Sequence, residues 1–333
     1  MQKRITSHTS VLNEKGIPNP GWASEGIFKY NRKAIKARAW RIKEWDWYQV
    51  SNHSHALQFT FGHAAYAGQI GIMFFDFEKG ENIFTKDKML VLPFNSLKLE
   101  ANADKDGVLE YDKGGMFMRF EKKGDIRTLT AKCEGFESEV TLKRENPHAL
   151  VINVPFDEKP TNFYYNHKIS CMSAKGRVVA NGEEYKFDED SWGLLDWGRG
   201  VWPFHNEWYW SSATGYLEDG EIFGFNLGRG FGNTSNATEN CIFYKRKIYK
   251  LGKVNIDTGE DYMDDWHLYD TKGRLDLTLK PIYDRETKTK LLWVDNNTHQ
   301  MFGEFTGTAS LDDGTVLKVA GITGFAEHAV NNW

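Results

Sequence analysis

Residues 55–63 read HALQFTFGH, and in them Leu57, Phe59 and Phe61 alternate with Gln58, Thr60 and Gly62. Successive side chains of an extended chain point to opposite sides, so a hydrophobic period of two marks a strand with one buried face. The chain keeps this character outward from there. Residues 71–77 (GIMFFDF) form a second apolar run, closed by the turn Glu78-Lys79-Gly80. Residues 89–94, 97–100, 115–120, 126–133, 138–142 and 150–154 continue the series of expected strands. Turn clusters such as Asp104-Lys105-Asp106-Gly107, Lys113-Gly114-Gly115 and Lys123-Gly124-Asp125 part them at short intervals. Strands so spaced, with no helical period between them, predict an antiparallel meander that closes as a barrel or packs as a sandwich. Met118, Phe120, Leu129 and Cys133 then read as barrel filling.

Upstream, residues 1–34 are turn-rich around Gly16, Pro18, Pro20 and Gly21 and read as an arm lying over a domain. Residues 36–50 (KARAWRIKEWDWYQV) fit short strands with a turn near Lys43 and Glu44 better than a helix. Downstream, Asn181-Gly182 joins two alternating runs, a strong hairpin signal, because both residues tolerate the positive φ of a tight two-residue turn. Short strands return over residues 273–280, 290–293, 303–311 and 316–325, with turns such as Asp312-Asp313-Gly314. A chain of 333 residues exceeds one ordinary core. The expected organisation is therefore an all-β one: the arm (1–34), a first β lobe (35–200) and a second (201–333).

Composition narrows the function classes. Aromatic residues make up 14% of the chain, enough to fill a sizeable core. A net charge of −4 with no basic block argues against a nucleic-acid footprint. No apolar run reaches the length of a membrane span, and the start MQKRITSHTSVLNEKG lacks the apolar centre of a signal peptide. Cys133, Cys171 and Cys241 are odd in number and far apart, and read as reduced thiols of a cytoplasmic protein.

Residues 191–215, SWGLLDWGRGVWPFHNEWYWSSATG, carry five of the twelve tryptophans together with Asp196, Arg199, His205 and Glu207. Tryptophan usually sits half buried with its indole N–H paired, so this stretch reads as a cavity wall with a polar feature in it. In an extended segment Leu194 and Asp196 share one face and Trp197 points the other way. Apolar surroundings disfavour the charged form of a carboxyl, so a buried Asp196 would be a proton donor to a weak base such as an alkene. The resulting carbocation would rest against aromatic faces, an effect on the order of 0.5–2 kcal/mol per ring. The alternative is that Arg199, three residues on, neutralises Asp196 in a structural turn. Glu239, in the run Thr238-Glu239-Asn240, is either a second acid or a solvated loop residue. Gly228, Gly230 and Gly232 mark a bulge, a tight bend or close backbone approach rather than a phosphate loop. Residues 245–253, rich in lysine, read as a solvated face. His53 and His55 lack the nearby Glu and third His of a metal site, so no metal is expected there.

The segments GLLDWGRGVWPFHNEWYWSSATG and FGFNLGRGFGNTSNATEN resemble the signature of domain of unknown function family 2804. The similarity runs from Gly21-Trp22 to the ending GFAEHAVNNW. That family is similar, more distantly, to hydroxyneurosporene synthase, kievitone hydratase and tocopherol cyclase. The resemblance implies two lipocalin-like β-barrel lobes side by side, the site at their junction or in one mouth, and cofactor-free proton addition to a carbon–carbon double bond of an apolar, isoprenoid-like molecule. The enzyme would then be a hydratase, cyclase or isomerase. The hydratase motif, roughly Asp-His/Arg-Glu-Trp before a Trp-x-Trp strand and an acidic-Gly turn, matches at Asp196, at Trp208-Tyr209-Trp210 and at Glu218-Asp219-Gly220. It departs at Trp197-Gly198-Arg199, where the second acid is missing. Glu239, or more weakly Glu327, would supply it. Asp196 is thus the implied acid, with Glu239 and Arg199 as partners. Trp192, Trp197, Trp202, Trp208, Trp210 and Asn226 would shape the cavity, and His205 and Tyr209 are candidate relay or substrate contacts. Two rivals use the same residues: a non-catalytic carrier of an apolar ligand, and a carbohydrate-active protein built on Trp platforms and paired acids.

Overall fold

The alternating runs assemble into two curled antiparallel half-barrel sheets side by side in the computed structural model, which describes residues 2–91, 97, 99–291 and 294–332. In the first sheet the spatial order runs Glu81–Val91, Ala67–Asp76, His55–His63, Lys43–Ser51, Trp192–Val201, Phe163–Ala180, Phe136–Arg144, Ile126–Cys133, Met116–Lys123 and Gly107–Lys113. Two meanders therefore spread outward from one central pair, Trp192–Val201 and Phe163–Ala180. The chain crosses to the second sheet just after Val201. There the order is Lys247–Lys250, Cys241–Tyr244, Ile222–Arg229, His205–Tyr216, Val316–Asn332, Val294–Ser310, Leu275–Leu291, Trp266–Asp270 and Val254–Asp257.

Each sheet curls round its own core. Phe59, Phe61, Phe74, Leu129 and Trp197 fill the first, and Phe223, Phe225, Trp266, Leu277 and Phe305 the second. Burying one such Phe is worth about 1.5–3 kcal/mol over leaving it in water, which is why the odd positions of residues 57–61 select the inward face. Two further clusters mix the sheets. One joins Leu150, Ile152, Tyr164 and Trp202 to Phe231 and Phe243, the other Ala56, Phe75 and Leu194 to Trp210, Phe302 and Phe325. The lobes are thus packed on apolar surface.

The hairpin at Asn181-Gly182 is present, with φ of 52° and 88°. The expected strands at 303–311 and 316–325 fall on two strands of 17 residues each, the first ending at Ser310, one residue short of the expected end. Two local expectations fail. The turn of residues 36–50 is the 3-10 turn Ala39–Arg41, before Lys43 rather than at it. Lys43 and Glu44 are buried and paired, Lys43 with Tyr66 and Glu44 with Tyr30 and Arg32, so they begin a strand instead of facing water. Leu97, Leu99 and Glu100 form no strand, and the Glu100 carbonyl instead accepts from Arg199. The expected strand residues 92–94 and 292–293 lie outside the described residues.

The arm packs Ile5, Val11, Leu12 and Phe28 into the first core, while Gln2 and Lys3 bond the carbonyls of Leu251 and Asn236 in loops of the second lobe. No helix among the described residues is long and apolar enough to cross a membrane. Cys133, Cys171 and Cys241 are unpaired.

Candidate functional site

The strand Trp192–Val201 is alternately faced. Trp197 and Arg199 point into the first core, and Leu194 and Asp196 toward the second lobe. Strand register sets Lys168 beside Asp196, and Trp45 beside Gly198. A Cβ at Gly198 would come within 2.0 Å of the Trp45 ring, so only glycine lets that indole lie against the strand. From there Trp45 Nε1 donates to Asp196 Oδ2 at 2.9 Å. Asp196 Oδ1 accepts from Asn166 Nδ2 at 2.5 Å and from Lys168 Nζ at 3.1 Å. All three partners donate, the arrangement of a carboxylate.

Lys168 Nζ is shared. It lies 3.6 Å from Glu239 Oε2 and 3.7 Å above the Trp210 ring centroid. Trp210 Nε1 donates to Asn226 Oδ1 at 2.8 Å, and Asn226 Nδ2 donates to the Glu239 carbonyl at 2.6 Å. Gly228 makes room for the same acid, since a Cβ there would stand 2.3 Å from Glu239 Cγ. A third carboxyl comes from the last strand. Glu327 accepts from Trp208 Nε1 at 2.9 Å and from Gln300 Nε2 at 3.1 Å.

Asp196, Glu239 and Glu327 keep only 8%, 6% and 8% of their surface, and Lys168 only 2%. Burial pushes the Glu239 carboxyl above its ordinary value, Lys168 offsets part of this, and Asp196 adds to it. Burial also raises Glu327, against the Trp208 hydrogen bond, Arg285 and Lys168, with Asp196 again adding. The Tyr164 phenol is raised well above its ordinary value, first by burial and then by the charges of Glu239, Asp196 and Glu327. Three carboxyls thus share the field of one close ammonium. A neutral carboxylic acid there can give a proton, and the indoles of Trp45, Trp208 and Trp210 can face a cation.

The remaining sequence candidates fall elsewhere. Arg199 does not touch Asp196; it bonds Asp46 Oδ1 at 2.8 Å and the carbonyls of Trp45, Gly198 and Glu100, with Glu44 beside it. Its guanidinium lies 3.8 Å from the ring centroid of Trp197, which is core. The reason is parity: residues three apart on a strand face opposite ways. Trp192 pairs with Asp190 and packs on Tyr216. Trp202 packs edge-on to Trp45, one ring removed from Asp196. His205 and Tyr209 line an open cavity of about 430 Å³ with Glu207 and Arg229, apart from the acids. Glu239 is buried, not a solvated loop acid. Lys250 is half-buried, bonded to Thr238 and the Asn240 carbonyl, because the loop before it folds back over it; residues 245–253 are not wholly a solvated face. His55 faces Asp76 across its strand pair at 3.5 Å.

Lys168, Asn166 and Trp45 escaped the sequence reading. One signal was available, a lysine inside the apolar run FYYNHKIS, where residues 164, 166 and 168 share a face.

The family model described as Domain of unknown function (DUF2804) matches residues 2–333. No curated protein matches the chain by sequence. Among solved structures, CghA crystallised with Sch210972 is similar at 10% identity, over 87% of this chain and 88% of that one, with a TM-score of 0.54. A protein described as AttH from Nitrosomonas europaea is 14% identical, over 90% and 96%, at 0.53. Kievitone hydratase from Nectria haematococca is 10% identical, over 92% and 96%, at 0.49. The first two show a shared lipocalin-like fold.

Proposed function

The chain belongs to the family described as a domain of unknown function (DUF2804), and on that footing we propose that it is an acid–base enzyme of the hydratase, cyclase or isomerase type. Its substrate would be an apolar, isoprenoid-like small molecule with a carbon–carbon double bond. One observation carries the reading: Asp196, Glu239 and Glu327 gather round Lys168 at a tryptophan-lined junction of two lobes. Further support comes from the ligand-bearing CghA structure of similar fold, whose name includes the small molecule Sch210972.

In the proposed step Glu239 gives its proton to one alkene carbon. The π electrons form the new C–H bond, and the other carbon becomes the cation. Lys168, 3.6 Å away, stabilises the carboxylate left on Glu239. Asp196, which already accepts three hydrogen bonds, is better suited to be the fixed anion than the proton donor. Water, an internal nucleophile or loss of a neighbouring proton then quenches the cation, and the released proton returns to Glu239. Hydration, cyclisation and isomerisation differ only in that last event.

The test is native mass spectrometry and organic extraction of protein purified from its own host, wild type beside Glu239→Gln and Asp196→Asn. A reacted ligand on wild type, with its unreacted precursor accumulating on Glu239→Gln, is the expected result. One unmodified ligand on all three proteins would sink the enzyme reading and leave a carrier.

A further inference from the structure

A second cavity, about 620 Å³, opens on the first lobe beside the 3-10 turn Ala39–Arg41. Lys36, Arg38, Arg41 and Lys159 line it, with Trp40 and Asn162, and no acidic residue does. None of the four cations has an ion-pair partner among the described residues, although the whole chain is acidic with a net charge of −4. Like charges facing one recess repel and call for a counter-ion. Arg41 is fixed in place, because one of its Nη2 protons goes to the Trp202 carbonyl and the rest of the guanidinium stays free. Asn162, 7% exposed, adds its neutral amide to the cavity wall. Trp40 is 49% exposed, with the Arg38 guanidinium 5.0 Å from its ring centroid. An exposed indole among cations offers an apolar face beside a charged one.

We propose that this cavity binds a phosphate-bearing ligand, its oxyanion held by Lys36, Arg38, Arg41 and Lys159 and capped by the Asn162 amide, its less polar part lying on Trp40. Guanidinium and ammonium groups around a tetrahedral oxyanion are the natural complement of that chemistry. The proposal stands apart from the acid cluster and needs no turnover. Two sources present the same group, a soluble phosphorylated molecule and the headgroup of an anionic lipid surface.

Isothermal titration with inorganic pyrophosphate at physiological salt tests the first source. Co-sedimentation with phosphatidylcholine vesicles, with and without phosphatidylglycerol, tests the second. Saturable pyrophosphate binding alone marks a soluble ligand, and sedimentation only with phosphatidylglycerol marks the lipid surface. In either case the double variant Lys36→Gln/Lys159→Gln, both sites on the exposed rim, is expected to lose about tenfold in affinity or more, and Trp40→Ala to weaken binding with far-UV circular dichroism unchanged. No binding in either assay, or equal binding by the double variant, overturns the proposal.

Discussion

Glu239 is a carboxyl whose burial outweighs its cationic neighbours, Lys168 and Lys250, and that imbalance has a sign. A group with its folded pKa raised above the ordinary 4.5 stabilises the fold fully below about pH 4.5 and loses that contribution as pH climbs through the raised value. Thermal unfolding of wild type and Glu239→Gln between about pH 4 and about pH 8 is therefore expected to give diverging curves, the variant gaining on wild type as pH rises. Parallel curves would mean that Glu239 feels no net burial penalty. Lys168 works in the opposite sense. Lys168→Met leaves Asp196 and Glu239 facing each other without their cation, so a loss of about 3–5 kcal/mol is expected at neutral pH. The loss is expected to shrink in acid, where protons replace the ammonium. Urea unfolding at two pH values measures this, and a deficit unchanged by acid would place the damage in packing rather than charge.

At the scale of the element, the strand Trp192–Val201 works by alternation, and alternation is what the residues reveal most directly. The shared face of Leu194 and Asp196, with Trp197 turned away, follows from period two alone and holds in the structure. The same parity separates Asp196 from Arg199, so their pairing was already disfavoured by strand geometry. What the residues conceal is the cross-strand partner. Lys168 stands 28 positions from Asp196 in the chain and meets it only because the hairpin at Asn181-Gly182 folds Phe163–Ala180 onto this strand. Trp45 is 151 positions away, and nothing local announces it. Its place depends on Gly198. Gly198→Ala drives a methyl into the Trp45 ring, where the gap is 2.0–2.4 Å, so the indole must leave and Asp196 must lose that donor. A loss of about 1–3 kcal/mol is expected from overpacking. Adding Trp45→Ala to it is expected to relieve that strain, giving a double variant no less stable than Trp45→Ala alone. If the two losses add in full, Gly198 is not there for Trp45.

Across the whole molecule, length and meander predicted two lobes, but how they join could not be read, because the surfaces that meet come from strands scattered over the chain. The two aromatic clusters at the junction hold the sheets together without specifying register, since one apolar face slides over another at little cost. Register has a polar source. Gln58 Nε2 donates to Gln49 Oε1 at 2.9 Å within the first sheet and to Gln300 Oε1 at 2.6 Å in the second, and Gln300 passes the chain to Glu327 at 3.1 Å. All four are buried. A buried polar chain is satisfied in only one alignment, and leaving a member unpaired costs about 1–3 kcal/mol. The same contacts that align the lobes therefore orient a carboxyl of the acid cluster, so lobe alignment and site geometry are one property. Gln58→Leu and Gln300→Leu, singly and together, are expected to show a coupling of about 0.5–3 kcal/mol in a double-mutant cycle by urea unfolding. Each single variant is also expected to move the pH dependence of the proposed reaction, because Glu327 loses one of its two donors directly in Gln300→Leu and has that donor loosened in Gln58→Leu. Strict additivity in stability, with an unmoved pH profile, would show that the aromatic clusters alone align the two sheets.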